Sequence, residues 1–61
     1  SNTVEIAVQL KGKVRARIEV AADASEEELT AAATEAIADQ LKGKEIRKVI
    51  VVKGRLVNIV A

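Results

Sequence analysis

Two segments near the start of the chain alternate between apolar and polar residues, with the period of a β-strand rather than of a helix. In Thr3–Leu10 and again in Val14–Val20, the apolar residues that would share a face occupy the even positions. The connection Lys11-Gly12-Lys13 must preserve this parity if both apolar sets are to lie on one face of a sheet. We therefore predict an antiparallel hairpin with a three-residue loop, in which Gly12 takes a positive φ at a bulge.

A helix is predicted to follow this hairpin. Ser25 stands three residues before Glu28, which is the spacing of a capping box, and Glu26–Glu28 place negative charge at the positive end of a helix dipole. Gly43 is the type of residue at which helices end in a left-handed conformation. We expect a helix over about Glu26 to Lys42. Its predicted buried face consists of Leu29, Ala32, Ala33, Ala36, Ile37 and Leu41.

Two segments rich in β-branched residues complete the chain, Ile46–Lys53 and Leu56–Val60, with Gly54 at the turn between them. Both carry apolar residues on both faces, which is typical of strands that are central or covered on both sides. The predicted fold is therefore α+β, a small single domain of order ββαββ, with one sheet and one helix packed on one face. We assign this domain to residues 3–61 and interpret Ser1-Asn2 as the remnant of a removed tag.

The composition excludes most chemistry. Phe, Tyr, Trp, Met, Cys, His and Pro are all absent, so no disulfide, no thiolate or imidazole metal site and no His-based acid–base catalysis is available. A chain of 61 residues builds only a thin core, without room for a sizeable catalytic cleft. Because Ser25 and the threonines have no base beside them in the sequence, we expect no catalytic residues. We also expect no cofactor-binding or metal-binding residues.

Acidic and basic residues are separated along the chain. The segment 23–41 holds six acids and no base, whereas the remainder holds ten bases and three acids. This division is typical of a binding surface for a polyanion, although Lys and Arg on the solvated face of edge strands would also serve to discourage aggregation. Without aromatic residues on which bases could stack, an RNA site would have to use phosphates, 2′-hydroxyls and shape. A folded RNA is therefore a better candidate than a single strand.

Several segments between Thr3 and Ala61, a span of nearly the whole chain, resemble the C-terminal domain of bacterial leucyl-tRNA synthetases. In chain order they are Val8-Gln9, Gly12–Ile18, Ala22–Glu27, Gly43-Lys44, Ile46–Val52 and Gly54–Val60. The resemblance implies a non-catalytic, tRNA-binding appendage of a class I synthetase. It would contact the corner and long variable arm of leucine tRNA and support aminoacylation by the parent enzyme.

The same resemblance implies partners and contact residues. The partners are leucine tRNA and the remainder of the parent synthetase, with no membrane and no small-molecule substrate, and the domain is expected to be a cytoplasmic monomer. The family binds tRNA through basic and backbone groups of this domain. The basic residues at the matching positions are Lys13, Arg15, Arg17, Arg47, Lys48 and Arg55.

Two other interpretations remain open at this point. The chain departs from the family where Pro usually precedes Ala22 and Gly54, and where Asn often precedes Gly12; it has Ala21, Lys53 and Lys11 there. These departures suit either a divergent natural sequence or a redesigned one, and the seven missing residue types favour a designed or alphabet-reduced scaffold with no function of its own. A ubiquitin-like interaction module that uses an apolar sheet edge is a third interpretation, which rests on analogy of element order alone.

Overall fold

Four strands and two helical segments follow the order that the apolar periodicities predict. The computed structural model describes residues 2–61. Its elements are β1 (Thr3–Leu10), β2 (Lys13–Ala21), α1 (Glu26–Ala36), α2 (Ala38–Leu41), β3 (Lys48–Val52) and β4 (Leu56–Val60). The strands form one sheet with α1 packed on one face, so the predicted α+β class and ββαββ order are confirmed.

The suggested tag remnant falls partly outside the described residues, which begin at Asn2. The backbone carbonyl of Asn2 accepts a hydrogen bond from the N–H of Ala22, at 2.9 Å. This bond extends the pairing of β1 with β2 by one step, so the backbone of Asn2 takes part in the fold.

The sheet order is β2-β1-β4-β3, with β1 and β4 parallel in the centre. The prediction that both final segments are central or covered on both sides is correct only for the position of β4. β3 is an edge strand, and its residues Ile50 and Val52 are each 40% exposed, because α1 covers only the opposite face of the sheet. A parallel pair needs a crossover, and the helical segments between β2 and β3 provide it.

The first hairpin keeps the apolar residues of β1 and most of those of β2 on one face, but not by the predicted three-residue loop. The connection is a two-residue turn in which Lys11 has a φ of 53° and Gly12 a φ of 83°, as a type I′ turn requires. The three-residue loop is therefore wrong. Parity is restored by a β-bulge: Val8 pairs with Ala16 but Gln9 pairs with Val14, so that Arg15 is an extra residue in β2.

The bulge decides which residues of β2 reach the core. Beyond it, Ala16, Ile18 and Val20 pack against the core as predicted. Val14, before the bulge, shares the opposite face of the sheet with Gln9 and is 49% exposed. The expectation that Val14 belongs to the buried face is wrong, because one inserted residue moves every preceding side chain to the other face.

The start of α1 is capped as predicted. Ser25 Oγ accepts a hydrogen bond from the N–H of Glu28 at 3.2 Å, and Glu28 Oε1 accepts one from the N–H of Ser25 at 3.0 Å. Together the two bonds form a capping box, which satisfies two backbone donors that a helix start would otherwise leave unpaired.

The predicted continuous helix to Lys42 is interrupted. Ile37 leaves the helical conformation, with φ −118° and ψ 27°, and α2 begins at the next residue. Neither Gly nor Pro occurs at this point in the sequence. Ile37 is 1% exposed and packs in the core. Its β-branched side chain also has a lower helix propensity than an unbranched side chain. Gly43 has the positive φ predicted for it, 74°.

The core lies between the two central strands and α1. Its buried side chains are Ile6, Val8, Leu10, Ala24, Leu29, Ala33, Ile37, Val57 and Ile59. The predicted buried face of the helix is too wide: Ala36 is exposed, and Ala32 and Leu41 are half-buried. Leu41 is not fully buried, because the interruption at Ile37 places it in the short α2 at the margin of the core. Leu29 and Ile37 therefore carry most of the burial on the helix side.

The capping box makes stability depend on pH in a defined direction. Hydrogen bonds from the Ser25 backbone and side chain lower the pKa of Glu28 below its ordinary 4.5 in the folded chain. A carboxyl with a lowered folded pKa stabilises the fold above its unfolded pKa, and this contribution disappears as pH falls through the folded pKa. Glu28→Gln is expected to flatten the loss of stability from about pH 6 to about pH 3, measured by urea unfolding. Glu27→Gln, which removes a neighbouring acid outside the capping box, is the control; equal flattening in both would contradict the assignment.

Candidate nucleic-acid interface

The six basic residues selected from the sequence are all exposed, and they come from three parts of the fold. Lys13, Arg15 and Arg17 belong to β2. Arg47 and Lys48 lie at the start of β3, and Arg55 lies in the turn before β4. The register of the sheet determines which of them lie close together.

One end of the sheet collects basic residues from both of its edges. Leu10 pairs with Lys13 on one side and with Ile59 on the other, and Val60 pairs with Lys48. Lys11, in the turn, and Arg47, just before β3, lie at the same end. We call these four residues, Lys11, Lys13, Arg47 and Lys48, the basic end. Three strand spacings separate the backbones of β2 and β3, about 14 Å.

Backbone hydrogen bonds hold the two basic segments on either side of β4. The N–H of Lys11 donates to the carbonyl of Ile59 at 2.9 Å, and the N–H of Arg47 donates to the carbonyl of Val60 at 2.8 Å. A third bond involves a side chain, since Asn58 Oδ1 accepts from the N–H of Gly12 at 3.0 Å. The turn and the start of β3 are therefore attached to the same stretch of β4.

Arg17 and Arg55 lie farther along the strands, away from the basic end. Arg17 pairs with Ala7, three residues along β1 from Leu10, which corresponds to about 10 Å. Arg55 lies beside the same position, where its carbonyl accepts a hydrogen bond from the N–H of Ala7 at 3.1 Å. The structure thus brings Lys13, Arg47 and Lys48 to one end, with Arg15 at the bulge nearby, and leaves Arg17 and Arg55 apart from them.

Arg17 also has an acidic neighbour. Its Nη1 lies 3.9 Å from Glu5 Oε1, and both side chains are about 70% exposed. A surface pair of this length contributes little to stability, but it places a carboxylate where a phosphate would have to bind. The surroundings of Arg17 are therefore less suited to a polyanion than the basic end.

The acids at the helix start lie beside β3. β2 ends at Ala21, which pairs with Thr3, and α1 begins soon afterwards at Glu26. Glu26 and Glu27 line a shallow groove together with Val49 and Val51 of β3. These two acids therefore lie near the start of β3, and the separation of acids from bases along the chain is not kept in space at this point.

Lys11 and Asn58 are two residues of this end that the sequence-based selection missed. Lys11 belongs to the first group of bases along the chain, but the resemblance does not include it among the contact residues. Nothing in the sequence distinguishes Asn58, because its hydrogen-bond partner Gly12 is 46 residues away.

Two shallow grooves flank α1, where its small Ala side chains leave space beside Ile18 and Val20 on one side and beside Val49 and Val51 on the other. Within residues 2–61 no cluster of acidic residues has the arrangement of a metal site. No helix in this part of the chain combines the length and apolar character that crossing a bilayer requires.

No family model matches the chain. Its fold matches part of the crystal structure of a ternary complex of Agrobacterium radiobacter K84 agnB2 leucyl-tRNA synthetase (LeuRS) with tRNA and LeuAMS, with a TM-score of 0.90 and 18% sequence identity. The chain has the fold of a small part of a LeuRS. The match covers 98% of this chain and 8% of the LeuRS chain, and at this identity it establishes the shared fold.

Proposed function

We propose that this chain is a non-catalytic tRNA-binding module of a leucyl-tRNA synthetase, corresponding to its C-terminal domain. The observation that carries the proposal is the match of almost the entire chain to part of a LeuRS solved together with tRNA. The sequence resemblance to the C-terminal domain and the basic end of the sheet support it independently. The partners are leucine tRNA and the remainder of the synthetase, in the cytoplasm, and the module acts as a monomer.

The proposed mechanism is electrostatic positioning of a folded RNA. Exposed Lys and Arg side chains neutralise phosphates, while the corner and long variable arm of leucine tRNA provide a shape that distinguishes it from other tRNAs. Of the six candidate contacts that the resemblance implies, Lys13, Arg47 and Lys48 lie at the basic end with Arg15 nearby, whereas Arg17 and Arg55 lie apart from it. The isolated module is expected to bind weakly, because in the parent enzyme its attachment raises the effective concentration of the site.

Arg47→Ala provides the test. The wild-type chain is expected to bind leucine tRNA with an affinity that falls steeply with salt, measured by fluorescence anisotropy at several salt concentrations. Arg47→Ala should reduce the slope of log affinity against log salt by roughly 0.7 to 0.9, the value for one phosphate contact. Because phosphates carry no base identity, cognate and non-cognate tRNAs should lose affinity by similar factors.

Two further results would separate this function from the alternatives. Within the parent enzyme, Arg47→Ala should lower tRNA charging and leave leucine activation, measured by pyrophosphate exchange, unchanged. If the wild-type chain shows neither salt-dependent tRNA binding nor a preference for leucine tRNA, the proposed function is wrong. The interpretation as a scaffold without its own function would then be favoured.

A further inference from the structure

The last residues of β4 act as a common support for both basic segments. Asn58, Ile59 and Val60 accept hydrogen bonds from Gly12, Lys11 and Arg47 respectively, at 3.0, 2.9 and 2.8 Å. Two of these acceptors are backbone carbonyls, which any sequence would provide. The third, Asn58 Oδ1, depends on the side chain at this position.

Lys11 has a backbone conformation that other residue types adopt more readily. Its φ of 53° is the only positive value for a non-Gly residue in the described part of the chain. The first central position of a type I′ turn favours Asn, Asp or Gly, whose left-handed conformation costs less. A long cation held in this conformation is an outlier of the kind found at functional sites.

We propose that Lys11, Lys13, Arg47 and Lys48 form a single site for the phosphate groups of a polyanion, and that Asn58 is its positioning residue. The proposal deepens the tRNA-binding function and rests on it only for the identity of the polyanion. It places the phosphates at the end of the sheet, away from Arg17 and Arg55, and it adds Lys11 as a contact residue.

Asn58 positions the site by holding the turn. The residue is half-buried on the sheet face opposite α1, between Gln9 of β1 and Ile50 of β3 in the register. Its bond to Gly12 fixes the turn between Lys11 and Lys13 at a constant distance from the start of β3. Without this bond the turn keeps only one link to β4, from Lys11 to Ile59, and the two lysines lose part of their pre-organisation for phosphates.

Inorganic tripolyphosphate is a suitable probe, because it carries closely spaced phosphates and no RNA structure. Titration of the wild-type chain, followed by NMR of backbone amides, should shift residues 11–13 and 47–48 together and leave residues 17 and 55 nearly unchanged. Before tripolyphosphate is added, Asn58→Leu should already shift the Gly12 amide resonance. The variant should also bind tripolyphosphate about threefold to tenfold more weakly than the wild-type chain, with a shallower salt dependence. Gln9→Leu makes the same kind of change at the paired position, and it should leave both binding and salt dependence unaltered.

A double-variant comparison separates positioning from a general effect on folding. In a chain that already carries Lys11→Gln and Lys13→Gln, Asn58→Leu should cause no further loss of binding, because the groups that it positions are gone. Asn58→Asp keeps an acceptor for Gly12 and should restore the Gly12 amide resonance. If Asn58→Leu does not fold, Asn58→Ser, which is too short to reach Gly12, is used in the same comparison.

The inference is overturned if tripolyphosphate shifts residues 17 and 55 as strongly as the basic end, or if it does not bind. It is also overturned if the loss from Asn58→Leu, or from Asn58→Ser where that variant replaces it, is equally large with and without the two lysines. Failure of the tRNA function gives a different result: the tripolyphosphate map would persist, while leucine tRNA would bind no better than other tRNAs.

Discussion

Leu29→Ala is expected to lower the free energy of unfolding by about 2 to 5 kcal/mol. Leu29 is 2% exposed and belongs to the core between α1 and the central strands. Because the other buried residue of α1 is Ala33, no buried neighbour on the helix is large enough to fill the cavity. A small domain has on the order of 5 kcal/mol in total, so much of the variant should be unfolded at 25 °C. Urea unfolding followed by far-ultraviolet circular dichroism measures the loss.

Leu41→Ala is the matched control for this prediction. It makes the same chemical change in α2, where the side chain is only half-buried, so a loss of about 1 to 2 kcal/mol is expected. This value replaces the larger loss that a continuous helix with a fully buried Leu41 would produce. Equal losses for the two variants would contradict the interruption at Ile37 and the marginal position of α2.

Removal of all four charges of the basic end should have the largest effect on binding. Replacing Lys11, Lys13, Arg47 and Lys48 with Gln is expected to lower affinity for leucine tRNA on the order of a hundredfold at low salt. The slope of log affinity against log salt should fall by roughly 3, since each lost phosphate contact contributes about 0.7 to 0.9. Anisotropy titrations at several salt concentrations measure both quantities.

A charge-matched variant distinguishes the position of the charges from their number. Replacing Arg15, Arg17, Lys53 and Arg55 with Gln removes the same net charge from other parts of the same chain. This variant should lose much less affinity and keep most of its salt dependence, because long-range attraction is screened within about 10 Å at 0.1 M salt. Similar losses for the two variants would indicate diffuse attraction by net charge rather than a site at the end of the sheet.

Features that depend on local periodicity and turn chemistry could be predicted from the sequence. The alternation in β1 and β2, the capping box of Ser25 and Glu28, and the left-handed Gly43 all involve residues within a few positions of each other. Their energetics are settled by neighbouring residues, whatever the rest of the fold does. The α+β class followed from the order of these local signals, and the division of charge was visible as a division along the chain.

Features that depend on which strands meet were decided by the tertiary structure. Two-residue and three-residue turns can both join the alternating segments, and only the pairing of Val8 with Ala16 shows that the extra residue is Arg15. The pattern of β3 suits a covered strand, but its position at the edge leaves Ile50 exposed.

The sequence by itself thus determined the elements and the separation of acids from bases. The tertiary structure decided which bases lie at the same end of the sheet. The parallel pairing of β1 with β4 brings Lys11 beside Ile59 and Gly12 beside Asn58, across 46 residues of chain in the second case. No local preference encodes such a contact, because it forms only when burial of both central strands under α1 fixes their register.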